Sequence, residues 1–577
     1  MKRTTAALAA VAFLVPTVAA GGQVARVVEV RLEGEVAEQR ALEVPFGPRR
    51  PLLRDYTASI RKAAKDPTVR ALLLRLNFPL MGLGKLQEVR EAIAEFKAAG
   101  KRVYCYFDSC FNTDYLLACS ADRVGAPPGA MVLLTGLSAE VTYLKGLLDW
   151  LGVKVELLHF GRHKTATEPF TQSAMSEENK KVFNELLDDL YDQYVSAIAE
   201  GRKLPPERVR ETIDNGPYSA EAAKKAGLLD DVAYEDQFLE AMEKDLGAEV
   251  ELVKAYHHLG AEGPDLSEFN IFTLFSAMRP RPPIPKTDRP KIVVIFATGM
   301  ILPTRPSFYL ENLITADEMS RAFEAAREDP TVKAVVLRVD SPGGSALVSD
   351  LVWREVQRTR KAGKPVVASL SSVAASGGYY IAMSADAVVA QPGCLTGSIG
   401  VLGGKIVLKG LYDKIGVTCE VFTRGKNAAI FSDYRPLSPS ERGRLDAMMR
   451  QTYEEFVRKA AAGRHMPEEQ MRKLATGRVW TGRQAKNLGL VDALGGLRAA
   501  YQLAMKKAGL SEKDNVQPVI LPREKSFLEA IFEPASVRSF LDAIEPVVGR
   551  RALGLALLGA LRRERVLALV PFVVEVR

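Results

Sequence analysis

DPTVRALLLRLN at residues 66–77 and DPTVKAVVLRVD at 329–340 are one segment written twice, 263 positions apart. The correspondence continues along the chain. SAD at 120–122 meets SAD at 384–386, and AKKAGLLDD at 223–231 meets AKNLGLVDA at 485–493. Self-similarity over so long a period means two copies of one domain. Each copy alternates short β-branched runs (ALLLRL, VYCYF; AVVLRV, VVASL) with amphipathic stretches such as LQEVREAIAEFKAAG and LVSDLVWREVQRTRKAG. That alternation predicts stacked βαβ units and an α/β fold class.

The copies set the boundaries. RPRPPIPKTDRP at 279–290 is too rich in proline for a helix or a central strand and reads as a linker. It separates an N-terminal domain, 21–278, from a C-terminal domain, 291–510. Residues 1–20, MKRTTAALAAVAFLVPTVAA, combine two cations, an apolar run and small residues at cleavage spacing, the pattern of a secretory signal peptide. Its apolar run is short for a membrane span, so removal is expected over retention as an anchor. The tail, 511–577, carries ALGLALLGAL at 552–561 between arginines, a stretch suited to packing, subunit contact or a membrane interface.

Composition excludes several classes. With 47% hydrophobic and 26% charged residues the 577-residue chain has the usage of a water-facing globular protein. The net charge of +8 is spread over mixed-sign helices with no basic, aromatic-interleaved stripe, so no nucleic acid partner is expected. The five cysteines (Cys105, Cys110, Cys119, Cys394, Cys419) form no CxxC pair and have no histidine at ligand spacing. They read as small buried hydrophobes, with a disulfide within Cys105–Cys119 as a minor alternative, and no metal or other cofactor is implied.

Chemistry is to be sought where the copies differ, because a shared scaffold needs shared core positions. VDSPGGS at 339–345 faces LNFPLMG at 76–82, so Gly343 and Gly344 are matched by Leu80 and Met81. SVAASGGYYIAMSAD at 372–386 faces CFNTDYLLACSAD at 110–122, which puts Asn112 opposite Ser376 and Thr113 and Asp114 opposite Gly377 and Gly378. Only the second copy has a hydroxyl followed by glycines that let a substrate backbone come close. Ser376 lies where a strand and its turn give way to a helix, beside unpaired N–H groups. The amides of Gly377 and of Gly343 or Gly344 are then candidate donors to a developing oxyanion. A lone ASGG would read as a helix N-cap; paired with SPGG, and absent from the duplicate, it reads as a nucleophile.

A serine nucleophile needs a base, and none of the five histidines stands in a recognisable triad setting. His163 adjoins Lys164 in HFGRHKTATEPF at 159–170, and a lysine desolvated against apolar walls can serve instead. On these motifs, with LTGSIGV at 395–401, VWTG at 479–482 and GLVD at 489–492, the chain resembles the long, tandem-domain form of the signal peptide peptidase (protease IV) family from about Arg26 to Leu510. The resemblance implies Ser376 as nucleophile and Lys164 as general base. It also implies a crotonase- or Clp-protease-like fold for each half, a homotetramer facing the membrane at the periplasmic side of the cell envelope, and cleaved signal peptides and similar apolar segments as substrates. Lys426 in RGKNAAIF at 424–431 aligns with Lys164 and lies in the same domain as Ser376, so it is a rival base; GRHKTATEPF is the closer match to the family's lysine segment. Two other functions fit the scaffold less well: a crotonase-type acyl-thioester enzyme, and an exported peptide-binding protein without turnover.

Overall fold

In the computed structural model, which describes residues 24–40, 51–257, 259, 283–304, 312–523 and 566–569, each half is built on a parallel sheet. The leader and the 552–561 stretch lie outside these residues. Within the stretch read as a linker, 283–290 carry neither helix nor strand. The central strands of the second half, Lys291–Thr298, Val332–Ser341 and Val366–Ala375, are buried nearly end to end; in Val332–Ser341 only Lys333 is exposed. A strand covered on both faces must be apolar without alternation, which is how AVVLRV reads.

The two sheets have one topology. In the first half the order is Glu249–Val253, Val24–Glu35, Val69–Leu80, Arg102–Phe107, Arg123–Ala126, Asp231–Val232, all parallel. In the second the corresponding order is Gln517–Leu521, Lys291–Thr298, Val332–Ser341, Val366–Ala375, Ala387–Ala390, Ala493–Leu494, again parallel, and two further strands branch from Val366–Ala375, Leu395–Gly397 parallel to it and Val479–Thr481 antiparallel to Leu395–Gly397. The repeated motifs do the same work in each. The aspartate of SAD accepts from the amide that opens the neighbouring strand, Asp122 from Val103 at 2.9 Å and Asp386 from Val366 at 2.8 Å. A tyrosine hydroxyl donates to the carbonyl of the GLLD or GLVD segment, Tyr115 to Leu228 at 2.8 Å and Tyr379 to Leu490 at 2.9 Å.

A further sheet ties the halves together. Lys154–Phe160 from the first half pairs antiparallel with Val401–Val407 from the second, in register from Lys154 with Val407 to Phe160 with Val401. A buried ionic knot also joins the halves. Arg338, fully enclosed, meets Glu38 at 2.5 Å and Glu88 at 2.6 Å and donates to the hydroxyls of Ser369 and Ser371. Lys85 pairs with Asp340 at 3.0 Å. Glu38, Glu88 and Lys85 come from the first half, and Arg338 and Asp340 from the strand that leads to the SPGG segment. Burial alone would lower the Lys85 pKa, but Asp340 and Glu38 together raise it, so this lysine is charged.

All five cysteines are free thiols, and four are buried as expected. Cys419 is exposed, because it sits in an irregular segment that leaves the core after residue 416.

Candidate active site

Ser376 ends a long strand. Val366–Ala375 runs ten residues, further than the VVASL stretch expected from sequence, because its second part changes neighbours: Val373, Ala374 and Ala375 pair with Leu395, Thr396 and Gly397. The turn between strand and helix is a single residue. The chain bends at Ser376 itself, with φ 57° and ψ −115°, and the helix Gly377–Ala382 begins at the next residue. A residue with a side chain held at such angles costs about 1–3 kcal/mol, and the surrounding bonds must hold it there. The Ser376 amide donates to Gly397 at 2.8 Å, and its carbonyl accepts from Tyr380 at 2.8 Å. Although Ser376 occupies the N-cap position, its hydroxyl makes no capping bond.

That hydroxyl meets Lys164 instead. The Lys164 Nζ lies 2.6 Å from Ser376 Oγ, 2.9 Å from the Ser398 carbonyl oxygen and 3.0 Å from Ser398 Oγ. Neither Lys164 nor Ser376 has solvent exposure. Among the described residues no carboxylate touches the amine, and burial holds its pKa well below the usual lysine value. A neutral amine has two hydrogens and one lone pair. With the two acceptors of Ser398 taking the hydrogens, the lone pair is left for the Ser376 hydroxyl.

The lysine arm is pinned from three sides. After Phe160 the chain turns at Gly161, and the His163 amide donates to the Thr476 carbonyl at 2.6 Å. The His163 ring is held against the Thr476 hydroxyl at 3.0 Å, so it braces the loop and is not aimed at Ser376. Gly477 lies so close that a Cβ there would stand 2.5 Å from the Lys164 nitrogen. Beyond the lysine, buried Glu168 of TATEPF accepts from Ser176 Oγ at 2.5 Å and Asn179 Nδ2 at 3.1 Å, fixing the arm to the start of the helix Glu177–Arg202.

The glycines divide. A Cβ on Gly378 would stand 2.6 Å from the Ser341 carbonyl oxygen, and one on Gly344 2.0 Å from that of Ile301. Both therefore permit close packing of the protein against itself; for Gly378 the expected use was the close approach of a substrate backbone. The Gly343 amide donates to Ser341 Oγ at 3.1 Å. Gly343–Ser345 packs beside the helix that opens at Gly377, so the candidate oxyanion donors share one wall. Lys426 is exposed, whereas Ser376 is wholly enclosed; the structure brings Lys164 to the serine and not Lys426. In the first half Asn112 is buried, its Oδ1 accepting from the Thr135 and Gly136 amides at 2.8 and 3.1 Å and from Tyr194. A side-chain amide locked in this way is no nucleophile.

Ser398 was not singled out from sequence, though LTGSIGV was; its signal is a small-residue run at a positive backbone angle, φ 51°. Among the described residues no cluster of His, Cys, Asp and Glu is arranged for a metal ion.

The chain matches the model of peptidase family S49 over residues 95–249 and 358–511, one region in each half. It is 34% identical over 507 residues to the chloroplastic serine protease SPPA of Arabidopsis thaliana, covering 88% of this chain and 72% of that protein. It is 32% identical over 478 residues to Protease 4 of Haemophilus influenzae, covering 82% and 75%. A solved membrane-bound stomatin-specific protease in complex with a substrate peptide shares 16% identity, covers 44% of this chain and 99% of its own, and has a TM-score of 0.27. With both halves matched and two relatives above 30% identity aligned over more than four fifths of the chain, the chain belongs to peptidase family S49 and is a serine-type peptidase of tandem α/β domains.

Proposed function

We propose that the chain is an endopeptidase with a serine/lysine dyad, Ser376 attacking and Lys164 serving as general base, that degrades cleaved signal peptides and other apolar segments at the membrane of the cell envelope. The observation that carries this reading is the 2.6 Å contact between a buried, neutral-leaning amine and a serine hydroxyl held in a strained corner. In the reaction Lys164 takes the hydroxyl proton as Oγ adds to the peptide carbonyl, and returns it to the leaving amine. The Gly377 amide and one from Gly343 or Gly344 receive the oxyanion. Water then repeats the cycle on the acyl-enzyme with the same lysine as base.

Support for a periplasmic, membrane-side location comes from the leader and from relatives named Protease 4; among the described residues no helix is long and apolar enough to cross a membrane. A homotetramer is favoured by the repeat. The lysine arm Lys154–Phe160 pairs with the second half of its own chain, while its counterpart around 417–424 is exposed and unpaired, ready for the next copy.

The test is cleavage of a synthetic signal peptide by wild type, Ser376→Ala, Lys164→Ala and Lys426→Ala. Loss with the first two and retention with the third is expected. Cleavage surviving Ser376→Ala rejects the mechanism.

A further inference from the structure

One strand in the sheet beside the site has come from the far end of the chain. Val566–Leu569 lies between Gly343–Ser345 and Val401–Val407, antiparallel to both. Its register is definite: Leu569 faces Gly343, Ala568 faces Gly344 and Leu567 faces Ser345, while on the other edge Leu567 faces Leu402 and Val566 faces Gly403. The strand also packs beside the helix that begins at Gly377. Each flanking strand has its other edge already occupied, Gly343–Ser345 by Met300–Ile301 and Val401–Val407 by the lysine arm. Without the tail, two strand edges would face each other across a gap one strand wide, bounded by candidate oxyanion amides at one end.

A gap of that kind takes an extended peptide by main-chain pairing on both sides. The tail supplies such a peptide. Val566-Leu567-Ala568-Leu569 is uncharged, apolar and free of proline, directly after the charged run Arg562, Arg563, Glu564 and Arg565. It advances toward Gly343 as it runs to its C-terminal end, as a chain entering the catalytic corner would. Ser376 and Lys164 have no solvent exposure in the chain that carries this strand.

We propose that Val566–Leu569 is an internal peptide ligand of this groove, a substrate-like strand that competes with incoming apolar peptides and must vacate before they pair. The inference rests on the peptidase reading of the same groove, since it takes the gap to be where substrates lie. Tethering makes the competition intramolecular, so the free peptide's apparent affinity is reduced by the fraction of chains whose groove is open.

The test uses the full chain with Ser376→Ala, so that nothing is cut, and a fluorescent hexapeptide of sequence Arg-Val-Leu-Ala-Leu-Val, the tail's own. Anisotropy titration is compared with the same chain carrying Leu567→Pro and Leu569→Pro, which remove ladder donors from a strand paired on both edges. The tail-disabled chain should bind the hexapeptide about tenfold or more tightly. Equal affinities, or no binding to either chain, overturn the proposal. A second arm restores Ser376 in the tail-disabled chain and measures cleavage of a synthetic signal peptide. Tighter binding without cleavage sinks the proposed endopeptidase while leaving the tail as the groove's occupant, so the two failures read differently.

Discussion

Lys164 and Ser376 are 212 residues apart, on different copies of the repeat, and their reacting atoms are 2.6 Å apart. Neither half holds both groups. Ser376→Ala and Lys164→Met should each lower kcat for an apolar peptide by about 10³-fold or more, as loss of a nucleophile or its base does. Because the two act as one unit, the double variant should be no worse than either single one, which steady-state kinetics will show.

Burial keeps Lys164 neutral in the folded chain at pH values where the unfolded chain protonates it, below the ordinary 10.5. Two consequences have a defined sign. The acid limb of the kcat/KM profile should fall well below pH 10.5, since the base is active once deprotonated. Stability should rise with pH up to that ordinary value, since the unfolded state binds the extra proton. Replacing the amine by Met should flatten this part of the stability curve, measured by thermal unfolding at pH 6 and pH 9.

Ser398 accepts both hydrogens of the amine, through its carbonyl and its hydroxyl. Ser398→Ala keeps the first and loses the second, at a cost of about 1 kcal/mol. Roughly a fivefold fall in kcat with KM little changed is expected. An unchanged kcat would mean that the carbonyl alone orients the lysine.

Gly477 has φ 82° and stands against the Lys164 backbone. A Cβ there would lie 2.5 Å from the Lys164 nitrogen and 2.7 Å from its Cβ, so Gly477→Ala must push the lysine arm away. A shift of about 1 Å at a reacting group is enough to cost about 100-fold in rate. The variant should fold, with a lowered melting temperature, and be nearly inactive.

Arg338 lies fully buried between Glu38 and Glu88 of the other half. Glu38→Ala removes a partner that also accepts from Ser371 and leaves a poorly matched buried cation. The expected loss is about 3–5 kcal/mol, read as a lower denaturation midpoint. Activity should fall with it, because Arg338 sits on the strand that delivers the SPGG segment.

Much of this architecture was legible before the fold was seen. The repeated DPTV segment and the β-branched runs follow from core positions that both copies must fill, and their duplication exposed Ser376 and the glycines as departures. Lys164 was harder to read, because a lysine's burial is decided by what packs on it. Here that is Ser398, Gly400 and Gly477, all from the other half and far along the chain. The packing role of Gly344 and Gly378 was hidden for the same reason: the carbonyls they admit, from Ile301 and Ser341, are neighbours only in space. The Arg338 knot has no local signature, since the equivalent Arg75 of the first copy pairs with Glu29 and Glu235 instead.

The antiparallel pairing of Lys154–Phe160 with Val401–Val407 has a consequence for the timing of synthesis. A chain emerging from its amino end presents the lysine long before the serine, and the arm that carries it finds its docking strand only after residue 407 has appeared. A nascent or truncated chain therefore has no working dyad, and proteolytic power arrives only when both copies are made and joined.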